Sequence, residues 1–64
     1  MFEIGDIVKY RHWTNKSWEE GTYIIIDIEL SYQSYEDKYY SYTIQNTETG
    51  IVLHEINWQQ IEQV

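Results

Sequence analysis

Apolar residues in this chain recur with a period of two, and nowhere with a sustained period of 3.6. Over Thr22–Leu30, Ile24, Ile26, Ile28 and Leu30 fall on one face, and Tyr23, Ile25, Asp27 and Glu29 on the other. That alternation, in a segment rich in β-branched residues, predicts a half-buried strand. Lys38–Asn46 predicts a second. Tyr40, Tyr42 and Ile44 share one face, while Tyr39, Ser41, Thr43 and Gln45 form a polar face turned to water. In Ile51–Ile56, Val52 and Ile56 share a face with His54 between them, opposite Ile51, Leu53 and Glu55. Ile7–Trp13 alternates as well, with Val8 and Tyr10 opposite Ile7, Lys9 and Arg11.

The punctuation between these segments agrees with strands. Gly5-Asp6 and Glu19-Glu20-Gly21 are turn signals, and Thr14–Ser17 and Ser31–Asp37 read as loops, the alternative for the second being that its two tyrosines extend the strands on either side. Asn46-Thr47-Glu48-Thr49-Gly50 suits a hairpin whose final glycine takes positive φ. Asn57-Trp58-Gln59-Gln60 predicts one helical turn capped by Asn57, and Ile61–Val64 a last short strand. No α-helix is expected. Five short strands predict a small closed or nearly closed antiparallel barrel occupying residues 1–64 as a single domain. Closure would hide strand edges that a chain without proline and with few lysines protects poorly.

Composition narrows the picture. The chain has 64 residues and no Cys or Pro, so disulfides and thiolate metal sites cannot brace it. A domain this small buries only about 60% of the surface its unfolded chain exposes. Eleven acids against four bases give a formal charge of −7, which argues against a nucleic-acid coat and against attachment to an anionic membrane. The longest apolar run, Tyr23–Ile26, is far short of the roughly 20 residues of a membrane span. The opening Met1-Phe2-Glu3-Ile4 lacks the pattern of a signal peptide. A cytoplasmic protein is the expectation.

Several segments resemble the small SH3-like barrels, including the Tudor and KOW types. Phe2–Tyr10, with Gly5-Asp6 leading into an apolar strand, resembles their opening. Gly21–Ile25 resembles their glycine-led second strand, and Tyr42–Asn46 with Thr49-Gly50 their third strand and distal hairpin. Asn57–Val64 resembles the short helical turn and closing strand. The resemblance implies a five-stranded antiparallel SH3-like barrel with one short helical turn near the C-terminus. It does not carry a functional subfamily: the proline-binding tyrosine pair and acidic loop of signalling SH3 domains are not recognisable, nor is the basic turn of KOW domains. A fold of this kind hosts many roles.

Catalytic chemistry finds little footing. His12 and His54 have no Cys or His neighbour at ligand spacing, so both read as ordinary strand or surface residues rather than metal ligands or general bases. No serine sits in a nucleophile elbow, and the three glycines are too scattered for a phosphate loop. Asp27 and Glu29 stand about 7 Å apart on one strand face, a spacing shared by glycosidase pairs and by any solvated strand. The expectation is a protein that is not an enzyme and carries no cofactor or metal.

The aromatic surplus is more informative. Three Trp, seven Tyr and one Phe exceed what so small an interior holds. Alternation assigns Tyr10, Tyr40 and Tyr42 to the core and leaves Trp13, Trp18, Tyr23, Tyr32, Tyr35, Tyr39 and Trp58 partly exposed. The SH3-like resemblance implies a groove between the first long loop, the Tyr32–Tyr39 loop and the helical turn. The leading expectation is therefore a protein- or peptide-binding module, or the small subunit of a larger assembly. Trp13, Trp18, Tyr39 and Trp58 would anchor a partner, and Glu19, Glu20, Glu36 and Asp37 would select a basic one. The same rings would also serve a homodimer seam. Charge is uneven: residues 1–18 carry +1 and residues 19–64 carry −8. The alternative is thus an acidic decoy of the kind small phage proteins use, occupying the basic groove of a nucleic-acid-binding protein. The third is weak single-strand binding through Lys9, Arg11 and Lys16 beside Trp13 and Trp18.

Overall fold

A computed structural model describes all residues, 1–64. It contains five strands, β1 (Ile7–Tyr10), β2 (Tyr23–Gln33), β3 (Lys38–Asn46), β4 (Val52–Ile56) and β5 (Ile61–Gln63). One 3-10 turn, Trp58–Gln60, precedes β5. All pairings are antiparallel, in the order β4-β3-β2-β1-β5. The all-β class and the positions of the strands follow the sequence pattern closely. Closure does not: β4 and β5 are free edges with no ladder between them. These edges are blunted by other means. β5 has only three residues, and Glu55 interrupts β4 with a φ of +57°.

Eight residues form the core: Val8, Tyr10, Tyr23, Ile25, Tyr42, Ile44, Ile56 and Ile61. Phe2, Ile28, Tyr40 and Leu53 pack against it. Phe2 sets its ring edge-on to Tyr42 at 5.5 Å, and Tyr10 does the same to Tyr23 at 5.4 Å. Such pairs add about 0.5–1.5 kcal/mol beyond their buried area.

The core corrects two faces assigned by alternation. Ile25 pairs with Ile44, but the next rung joins Asp27 to Thr43, so Ile26 is an extra residue in β2. This bulge reverses the phase of the strand. Tyr23 and Ile25 therefore point inward before it and Ile28 after it, while Ile26 is 40% exposed. Tyr23, expected at the surface, is buried. A second bulge lies in β4, where Ile44 faces Leu53 and Tyr42 faces Ile56. Leu53 and Ile56 meet the core together, and Val52 does not. The loop signals hold: Gly5, Gly21 and Gly50 all adopt positive φ.

Two outcomes test this packing. Ile25→Ala is expected to cost about 2–5 kcal/mol of stability in urea unfolding, and Ile26→Ala less than about 1 kcal/mol. The unbroken alternation of the sequence would give the reverse order.

The second outcome concerns pH. Burial pushes the Tyr10 phenol above its ordinary value of 10.0, helped by neighbouring Tyr23 and Glu19. Burial also raises Tyr42, with Tyr40 beside it. The folded state keeps these protons after the unfolded chain has begun to release its own. Their contribution is therefore intact below about pH 10 and is lost as pH rises beyond it. The urea midpoint should fall above pH 10, and less steeply in a Tyr10→Phe, Tyr42→Phe double variant.

Candidate functional site

The loop from Arg11 to Thr22 and the 3-10 turn are brought together by one buried polar residue, Gln60. Its side chain accepts from the Asn57 N–H at 3.2 Å and donates to the Arg11 carbonyl at 3.3 Å. The Arg11 N–H donates to the Gln60 carbonyl at 2.9 Å. Asn57 caps the turn as the sequence predicts, accepting from the Gln59 N–H at 2.9 Å. The Asn57-x-x-Gln60 spacing is the reciprocal form of such a cap, and it was the available signal for Gln60. Arg11 completes the joint. Its Nε and Nη2 both donate to the Gln59 carbonyl at 3.3 Å, and its guanidinium lies over the Trp18 ring at 5.0 Å.

Above this joint the three tryptophans converge. Trp13 and Trp18 from the first loop and Trp58 from the 3-10 turn line one open cleft of about 680 Å³, together with Phe2 and Arg11. Trp13 is 73% exposed and Trp58 55% exposed, while Trp18 is half-buried under Arg11. The loop is organised locally. His12 Nδ1 accepts from the Thr14 N–H, the Asn15 N–H donates to the His12 carbonyl, and the His12 ring tilts against Trp13 at 5.9 Å. The Glu19 N–H donates to the Tyr10 carbonyl, which returns the loop to β1 beside Trp18.

The other candidate residues are distributed differently. Glu19 and Glu20 follow Trp18 on the loop and are exposed, and Glu62 lines the cleft. Tyr39 is not a wall of this cleft. It stands on β3 against Tyr32 of β2, ring centroids 5.7 Å apart, next to the turn that holds Glu36 and Asp37. Of the basic trio, Arg11 is engaged with Gln59 and Trp18. Lys9 faces Glu62 across the β1–β5 ladder, and Lys16 is exposed on the loop. Asp27 and Glu29 share a groove with His54 and Glu55. No three carboxylate, histidine or cysteine side chains are grouped to hold a metal ion. No helix is long and apolar enough to cross a membrane.

Comparison with protein-family models, with curated proteins and with solved structures gives no match to this chain.

Replacing Gln60 tests the joint. Gln60→Leu keeps the volume but strands the Asn57 N–H and the Arg11 carbonyl. It should cost about 2 kcal/mol in urea unfolding and shift the tryptophan emission of the folded protein. An unchanged midpoint and spectrum would contradict the role assigned to Gln60.

Proposed function

We propose that this protein is a non-catalytic protein- or peptide-binding module, or the small subunit of a larger assembly, that receives its partner in the tryptophan cleft. The observation that carries this reading is the convergence of Trp13, Trp18 and Trp58, from segments some forty residues apart, on one open cleft. Exposed tryptophan is costly in water and supplies large contact area with little side-chain entropy to lose on binding. The cleft floor is held by the Gln60 and Arg11 contacts, so little ordering remains to be done when a partner arrives.

The strand order, with a 3-10 turn just before the closing strand, supports an SH3-like barrel left open between β4 and β5. Charge supports a basic partner. The one cationic side chain lining the cleft, Arg11, already has contacts, whereas Glu62 lines the cleft and Glu19 and Glu20 follow Trp18. The same distribution weighs against single-strand binding, because Arg11 is occupied within the fold and Lys9 stands opposite the carboxylate-bearing Glu62.

Affinity capture from source-cell lysate, with nuclease treatment and mass spectrometry, tests the reading. The native protein should retain a discrete nuclease-resistant protein, and Trp58→Ala should weaken its retention by at least about tenfold. Tyr39→Ala should leave that retention unchanged. Recovery of nothing, or only of nuclease-sensitive material, would contradict the proposal.

A further inference from the structure

The β2–β3 hairpin outgrows the rest of the sheet. β1 pairs with β2 only at Tyr23 and Ile24, and β4 pairs with β3 no further out than Tyr42. Beyond those rungs, from Asp27–Gln33 and Lys38–Ser41, the hairpin is a two-stranded ribbon with both backbone edges unpaired. A ribbon of two strands is marginally stable in water alone. This one nonetheless exposes Leu30, Tyr32, Tyr35 and Tyr39, of which Tyr35 at the tip is fully exposed. Its turn is built, not slack: the Ser34 N–H donates to the Asp37 carbonyl at 2.8 Å, and Ser34 Oγ accepts from the Asp37 N–H at 3.1 Å.

The outer face of the ribbon has a defined chemistry. An extra residue at Ser31 brings Tyr32 directly opposite Tyr39, in line with Ser41 and Thr43 of β3 and with their partners Glu29 and Asp27. The tilted tyrosine pair therefore continues a row of carboxylates and hydroxyls. The ribbon and its turn carry Asp27, Glu29, Glu36 and Asp37 against Lys38.

We propose that this outer face is a second docking surface, distinct from the tryptophan cleft, for an extended arginine-bearing protein segment. Unpaired strand edges accept an extended chain through its backbone. The tyrosine faces attract a guanidinium, and the neighbouring carboxylates bind it in a planar fork. A second copy of the chain is disfavoured as occupant because it would bring the same surplus of carboxylates to the contact. Phosphate-bearing ligands meet the same repulsion.

The probe is a synthetic ten-residue peptide alternating arginine and valine, titrated into the full chain and followed by backbone amide shifts. The shifts should concentrate between Asp27 and Ser41. Replacing every arginine of the peptide by lysine should weaken binding several-fold, because an ammonium neither stacks nor forks. Tyr32→Ser and Glu29→Gln, both at exposed positions, should each weaken binding by at least about fivefold, and Trp58→Ala should not. No binding, shifts centred on the tryptophan cleft, or equal affinity for the arginine and lysine peptides with Tyr32→Ser silent would overturn the proposal. So would a concentration-dependent dimer that Tyr32→Ser dissolves, which would assign the face to a second copy.

Discussion

Gln60 is the buried polar side chain on which the functional end of this molecule depends. A glutamine in an apolar interior is costly unless its amide is satisfied, and here both ends of the amide are used. One end finishes the cap of the 3-10 turn and the other fixes the strand that leaves the core at Tyr10. Because Arg11 follows Tyr10, the same contact places a guanidinium where it can reach Gln59 and cover Trp18. Three tryptophans thus owe their convergence to one amide and the cation beside it. Polar contacts do this work because the core, with eight buried apolar residues, has no spare surface for packing the loop.

The same scarcity explains the bulges. A short antiparallel sheet that must curve around so few side chains needs local twist, and an inserted residue supplies it. In β2 the insertion also moves an isoleucine outward and a tyrosine inward, so the aromatic surplus becomes partly structural. Tyr10, Tyr23 and Tyr42 help fill the interior. Phe2 and Tyr40 pack against that interior, and the other aromatics divide between the tryptophan cleft and the tyrosine ribbon. Acids keep those apolar faces in solution and leave the chain far from neutral.

The strands were legible because period-two alternation and glycine turns are local signals. Lys38–Asn46 and the Asn57 cap fall where the pattern places them. The faces of β2 were not legible, for a specific reason. Tyr23-Ile24-Ile25-Ile26 is apolar throughout, so it offers either phase, and the register of β3 is what selects one. In β4 the reversal comes from the positive φ of Glu55, a residue type that does not announce it. The tryptophans of the cleft were named from their surplus and from the SH3-like resemblance. Tyr39 was grouped with them because Ser31–Asp37 was read mainly as a loop, whereas β2 runs on to Gln33 and sets Tyr32 against Tyr39. That extension separates the tyrosines from the cleft. Arg11 was read as a free cation, since nothing in the sequence shows that the Gln59 carbonyl lies within its reach.

Native-state hydrogen exchange at the Arg11 and Asn57 amides tests the central claim most directly, because both donate to Gln60. If the Gln60 joint is part of the cooperative fold, these two amides exchange as slowly as that of Ile25 in the core, through global unfolding alone. Exchange of either at the rate of an open loop, with the Ile25 amide still protected, would mean that the joint opens independently and that the cleft is not held in place by it.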